Sequence, residues 1–157
     1  MSIEPVIVTV AISKPPSEAF DAFTTKIADW WPLQTHSIGP FIGEAVPTTV
    51  VVEGYEGGRI FEVSPEGIER NWGTITHWAE GEALEFTWHP GDPENRSTHV
   101  RVSFAKTDTG GTVLTLVHSG WEVLGEKGKP TRDGYNSGWA ENLRVNYSKF
   151  LDGVAAA

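Results

Sequence analysis

The chain contains no cysteine, so it can form no disulfide, hold no thiolate-bound metal and use no cysteine nucleophile. Positive charge is scarce: 12 Lys and Arg stand against 21 Asp and Glu, for a net charge of −9. With no dense basic run to offset that balance, the charge argues against a nucleic-acid backbone or an anionic membrane surface as the main partner. Nowhere do about eighteen apolar residues follow one another, so insertion into a bilayer is not expected. The opening "MSIEPVIVTV" has no basic region followed by a long apolar core, and it is not read as a signal peptide. A soluble cytoplasmic protein is the expectation. P-loop, dinucleotide and nucleophile-elbow patterns are also missing. His36, His77, His89, His99 and His118 show neither a helical i,i+4 pair nor compact ligand spacing, so no metal or other cofactor is expected.

What is present reads as one ordinary domain, residues 1–157, large enough to bury a core without staples. Tryptophan is abundant, with 7 in the chain. Each brings a large apolar area and one N–H that wants a partner, so these residues gather in cores, pockets and interfaces. "PVIVTVAIS" (5–13) is β-branched and short, and predicts a strand. "PPSEAFDAFTTKIADWWP" (15–32) places Phe20, Phe23 and Ile27 at helical spacing, and two short helices are expected after the first strand. Six further strands follow, "TTVVVEG", "GRIFEVS", "NWGTITHWA", "EALEFTWH", "STHVRVSFA" and "TVLTLVHS", separated by turn-forming Gly, Pro, Asp and Asn. Last comes "YNSGWAENLRVNYSKFL", whose Trp139, Leu143, Tyr147, Phe150 and Leu151 recur at three and four and predict one face of a long helix. The order of elements predicts an α+β fold with a seven-stranded antiparallel sheet covered by the C-terminal helix.

Alternation assigns faces to the last three strands. Leu84, Phe86 and Trp88 form one apolar set, Val100, Val102 and Phe104 a second, and Leu114, Leu116 and His118 a third. The register that aligns all three predicts the rows Trp88–Val100–His118, Phe86–Val102–Leu116 and Leu84–Phe104–Leu114. His118 then faces the interior beside Trp88.

Taken in order, the first strand, "PPSEAFDAFT", the double tryptophan, "GGRIFEV", "WGTITHW", "EALEFTW", "TVLTLVHSGW" and "SGWAENLRVNYSKFL" resemble the activator-of-heat-shock-protein-ATPase homologue-like family. That family belongs to the START-like, birch-pollen-allergen-like superfamily. The resemblance extends from about Val6 to Leu151, with "HSGW" after the last strand and "SGW" in the last helix as its most specific pieces. It implies a helix-grip fold, in which a curved sheet wraps the long C-terminal helix and leaves a cavity between them. It further implies binding of lipids, polyketides or other apolar molecules, cyclase chemistry in some members, and a stress-response role. The eukaryotic namesakes stimulate the ninety-kilodalton heat-shock chaperone with the help of an additional domain; this chain resembles the single-domain form.

His118 has three readings: a strand-end histidine bonded to backbone, a polar handle inside an apolar pocket, or a general base whose orienting partner the sequence does not name. Trp88, Trp121 and Trp139 are either core or ligand platform. Arg59 is either a solvent-facing hairpin charge or an inward cation that needs a carboxylate. An empty cavity of about 400 Å³ would cost on the order of 10 kcal/mol, so the space is wet, filled or absent. The polar, Gly/Pro-rich "VLGEKGKPTRDGY" (123–135) reads as a connector and a candidate lid.

The expected function is non-catalytic binding of a small hydrophobic or amphipathic molecule between sheet and helix. Phe86, Trp88, Val102, Leu116, Trp139 and Leu143 would line the site, His118, Arg59 and Tyr135 would give it polarity, and Trp121 would begin the lid. The alternatives are a chaperone-activating interaction module and a cyclase or hydrolase using the same cavity. A homodimer through a strand edge or the Trp30-Trp31 region is left open.

Overall fold

Buried Val6, Val8, Val10 and Ile12 alternate with exposed neighbours, which makes Val6–Ile12 a strand with one face in the core (β1). The computed structural model describes residues 2–153. After β1 come helix α1 (Pro16–Phe23), a 3-10 turn at Ile27–Asp29 and the one-turn helix α2 (Ile38–Phe41). Six strands follow: β2 (Thr49–Val52), β3 (Arg59–Val63), β4 (Glu69–Ala79), β5 (Ala83–Trp88), β6 (Thr98–Lys106) and β7 (Thr112–Ser119). A 3-10 segment at Trp121–Lys127 leads into α3 (Gly128–Glu141), which continues through a π-helical stretch, Asn142–Tyr147, into α4 (Ser148–Asp152). All seven strands pair antiparallel in the order β1-β7-β6-β5-β4-β3-β2. The curled sheet grips the C-terminal helix, the α+β helix-grip arrangement expected from the sequence.

The core is built in rows across the sheet. Val6, His118, Val100 and Phe86 lie side by side on four strands, and Val8, Leu116, Val102 and Leu84 form the next row. All eight are buried, and each large apolar member contributes roughly 1.5–3 kcal/mol by leaving water. The β6–β7 register is the expected one. The β5–β6 register is not: Trp88 stands opposite Thr98, and Phe86 opposite Val100, two residues from the expected pairing. A two-residue slip keeps every side chain on its own face, so alternation cannot distinguish the two registers. The Thr98 hydroxyl, bonded to the Trp88 carbonyl and to His118, favours the observed one.

Curvature comes from irregularities in β3 and β4, where register shifts fall between Ile60 and Phe61 and between Ile75 and His77. Gly73 lies between them. A Cβ there would stand 1.8 Å from the Thr87 carbonyl oxygen, so only glycine lets β4 approach β5 this closely.

Two further expectations are corrected. Residues 128–135 are helical and not an irregular connector; Pro130 sits in the first turn of α3, where its missing N–H has no helical partner to lose. Phe150 is 40% exposed, not part of the buried helix face. The π-helical stretch widens the turn, so Trp139, Leu143 and Tyr147, four apart, stay inward while Phe150 rotates out. Trp30 and Trp31 are buried within the chain. The outer edge of β1 is occupied by the last helix: Arg132 donates to the carbonyls of Glu4 and Pro5, and Arg144 to that of Thr9. No helix among the described residues is long and apolar enough to cross a membrane.

Gly73→Ala is expected to lower stability by more than about 2 kcal/mol, because backbone must move to admit the methyl group. Urea unfolding of the variant measures this directly; a loss under about 0.5 kcal/mol, the size of an ordinary surface change, would contradict it.

Candidate functional site

Four tryptophans from four parts of the chain meet at one end of the sheet: Trp31 beyond α1, Trp72 on β4, Trp88 at the end of β5 and Trp139 on α3. Their ring centroids are 5.4 Å (Trp31–Trp72), 5.6 Å (Trp72–Trp88), 5.5 Å (Trp88–Trp139) and 5.6 Å (Trp31–Trp139) apart, in tilted or edge-to-face contact. Such pairs add about 0.5–1.5 kcal/mol each beyond burial. All four indole N–H groups donate within the protein: Trp31 to the His36 carbonyl, Trp72 to Glu62 Oε1, Trp88 to the Tyr135 hydroxyl and Trp139 to His118 Nδ1.

His118 is buried completely. An indole N–H can only donate, so Nδ1 accepts from Trp139 at 2.9 Å and the ring proton resides on Nε2. That Nε2–H donates to Thr98 Oγ1 at 2.6 Å, and the Thr98 hydroxyl donates to the Trp88 carbonyl at 3.2 Å. Trp121 covers the imidazole, with centroids 4.0 Å apart, and gives its own N–H to the His118 carbonyl. Burial pushes the imidazole down to about 3, with a smaller contribution from His99. His118 is therefore neutral at neutral pH, and neither ring nitrogen is free to take a proton from a substrate.

A second anchor was not foreseen from the sequence. Glu62, on the inward register of β3 with Ile60 and Ser64, is fully buried. Its carboxylate accepts from the Ile38 N–H at 2.6 Å, the Gly39 N–H at 3.0 Å and Trp72 Nε1 at 2.8 Å. Arg70 Nη1 stands 4.0 Å away. Glu62 thus ties the start of α2 to β4; a Cβ on Gly39 would stand 2.2 Å from the Ala45 carbonyl oxygen. A glutamate inside an apolar alternation was the available signal.

Above the indoles lies a cleft of about 520 Å³, bounded by residues 35–41, by Pro90 and Gly91 after β5, and by the Pro130–Asn142 side of the last helix. Beneath them, between sheet and helix, lies a void of about 10 Å³, room for a single water at most. The space directly between sheet and helix is thus filled by aromatic and aliphatic side chains, and the usable volume is at the open end.

The ten residues singled out from the sequence separate accordingly. Trp88, Tyr135 and Trp139 line the cleft. Phe86 borders the small inner void. Val102, Leu116, His118, Trp121 and Leu143 are fully buried below the floor. Arg59 is outside the cleft altogether: it is paired with Glu53 and Glu69, and its guanidinium lies 4.2 Å from the centre of the Phe61 ring. Its neighbours Glu53 and Glu69 supply the carboxylates, so it needs none from a ligand. Trp31, Trp72, His36, Phe41 and Asn142 line the cleft without having been singled out as site residues. Among the described residues no group of three or more His, Cys, Asp or Glu side chains converges as a metal site would.

Residues 13–146 match the family described as activator of Hsp90 ATPase homolog 1-like protein. The chain belongs to that family. Among solved structures, this family member is similar to a Mesorhizobium loti protein at 19% identity, with 96% of this chain and 98% of that one covered and a TM-score of 0.69. It is similar to the Aha1 dimer of Colwellia psychrerythraea at 15% identity, with coverage of 96% and 97% and a TM-score of 0.69. An anthrahydroquino-γ-pyrone synthase is similar at 26% identity, with coverage of 81% and 83% and a TM-score of 0.57. No curated protein matches the sequence.

The His118 arrangement sets a pH dependence. Its folded pKa of about 3 lies below the unfolded value of 6.5, so between those limits the unfolded chain holds the extra proton. Stability therefore falls as pH falls from 6.5 towards 3, by up to ~1.4 kcal/mol per pH unit, and above 6.5 this group has no effect. Urea unfolding at pH 7 and pH 5 should show about 2 kcal/mol of this loss in the wild type, absent from His118→Gln. Equal slopes in the two proteins would contradict the assignment.

Proposed function

We propose that this protein binds a small apolar or amphipathic molecule, without transforming it, in the cleft at the open end of the helix grip. The observation that carries this reading is the cleft itself, about 520 Å³ above a floor of four indoles. Small-molecule sites fall in the range of about 300–1,000 Å³ and combine apolar walls with a few placed polar groups. Trp88, Tyr135 and Trp139 are assigned direct ligand contact, and Phe86, Val102, Leu116, His118, Trp121 and Leu143 the support of the floor. The buried His118, with both nitrogens engaged, is not the proton acceptor that a transforming enzyme would need; His36, which lines the cleft, has its Nδ1 bonded to the Thr35 hydroxyl. The similarity to a synthase at 26% identity is what favours an enzyme reading.

A second reading, a module that acts on a chaperone through its surface, is favoured by family membership and by an exposed apolar knob. Phe41, at the cleft, is 88% exposed, and its neighbour Ile42 is 53% exposed.

Native mass spectrometry of gently purified protein tests the first reading. A stoichiometric small-molecule adduct is expected, lost in Thr131→Trp, which fills the mouth of the cleft. A clean apo mass, with no thermal shift across lipids and polycyclic aromatics, would contradict it. Stimulation of the chaperone's ATP hydrolysis that is lost in Phe41→Ser is the corresponding expectation of the second.

A further inference from the structure

Helix α3 carries Gly134 and Gly138 in its interior, one turn apart. Glycine at such positions costs roughly 1 kcal/mol each relative to alanine, so a reason for it is wanted. Neither residue has the positive φ that would require glycine. Close packing does not require it either. A Cβ at Gly134 would meet nothing within 4 Å, and one at Gly138 would meet only His36 Nε2 at 3.9 Å. Both residues line the cleft. Their missing side chains widen the cleft along the helix and expose its backbone to whatever lies there.

The polar groups beside this strip are unsatisfied in one direction. Asn142 continues the Gly134–Gly138 row by four residues and is only 2% exposed. Its Oδ1 accepts from Asn146, and its amide nitrogen has no hydrogen-bond acceptor among the described residues. Tyr135 accepts from the Trp88 indole, so its hydroxyl hydrogen is left over, with no protein acceptor among the described residues. Both free groups are donors. The indole floor offers no donor, since all four N–H groups are engaged. Among the described residues no Asp, Glu, Lys or Arg lines the cleft, and His36 is its one ionisable imidazole, so a charged ligand would find no Lys, Arg or carboxylate partner there.

We propose that Gly134 and Gly138 form a ligand-contacting wall that admits a flat, uncharged ring system, whose acceptor oxygens meet the Tyr135 hydroxyl and the Asn142 amide. This rests on reading the cleft as a ligand site. The flat face lies against the glycine strip and the indoles. A flexible, charged chain matches neither the shape nor the donors.

Quenching of tryptophan fluorescence by three probes tests it: xanthone, which is flat and neutral with a ring carbonyl; xanthene, the same tricycle without the carbonyl; and palmitate, a charged chain. Wild type should bind xanthone about tenfold more tightly than xanthene, the worth of one hydrogen bond, and palmitate weakest. Tyr135→Phe should bind both tricycles equally. Gly138→Leu should bind neither, with a Tm no lower than wild type. Gly134→Ala, with space for its methyl group, should raise the Tm by about 2–4 °C. A Gly138→Leu Tm well below wild type would overturn the claim that the space is open. Palmitate binding tightly and equally in wild type and Gly138→Leu would overturn the glycine wall while leaving a ligand-binding cleft intact. No binding of any probe to wild type would overturn the wall and count against the cleft as well.

Discussion

The hydrogen bond from the Trp139 indole to Nδ1 of His118 joins the C-terminal helix to the middle of the sheet, and the remaining architecture depends on it. Because an indole can only donate, the imidazole must be neutral, with its proton on Nε2. That proton goes to Thr98, and the Thr98 proton to the Trp88 carbonyl. One directed chain therefore connects α3, β7, β6 and β5. Breaking it anywhere would leave a fully buried polar atom unpaired, at a cost of about 1–3 kcal/mol. The same chain explains why β5 pairs with β6 through Trp88 and Thr98, a register that places a threonine hydroxyl within reach of the imidazole.

From this chain follows the character of the cleft. Trp139 is held from below by His118, Trp88 from the side by Tyr135, and Trp72 by the buried carboxylate of Glu62. The indoles are thereby oriented with their N–H groups turned into the protein, and aromatic carbon is what they present to the cleft. The interior beneath them is packed with buried apolar side chains around a void of about 10 Å³. The open volume lies instead at the open end, where α2, the segment after β5 and the glycine strip of α3 face one another. A histidine that looks like chemistry in the sequence is, in the fold, the reason a nearby surface is rigid and apolar.

Much of this was legible beforehand. Alternation in β1, β6 and β7 identifies the core face, and the resemblance to the family supplies the grip topology. What escaped was whatever period-based reading does not resolve. A two-residue slip between β5 and β6 leaves all faces unchanged. The π-helical widening at Asn142–Tyr147 alters the helical period and turns Phe150 outward. Helix formation through Gly128, Pro130 and Gly134 runs against local propensity and is supported by tertiary contacts, among them Tyr135 against Trp121 and His118. Arg59 looked like a candidate because two glycines precede it, yet its partners Glu53 and Glu69 lie close by along the chain. Glu62 was readable as a glutamate on an apolar face, but its donors, Ile38 and Gly39, open the one-turn helix α2, whose position only the fold determines.

The central claim is that His118 is a neutral, doubly engaged support and not a titrating site group. Nitrogen-15 NMR of the His118 imidazole between pH 7 and pH 4.5 tests it most directly. The account predicts unchanged shifts of the Nε2-protonated neutral tautomer across the range, with a measurable coupling through the hydrogen bond from Trp139. Titration near 6.5, or a proton found on Nδ1, would contradict it.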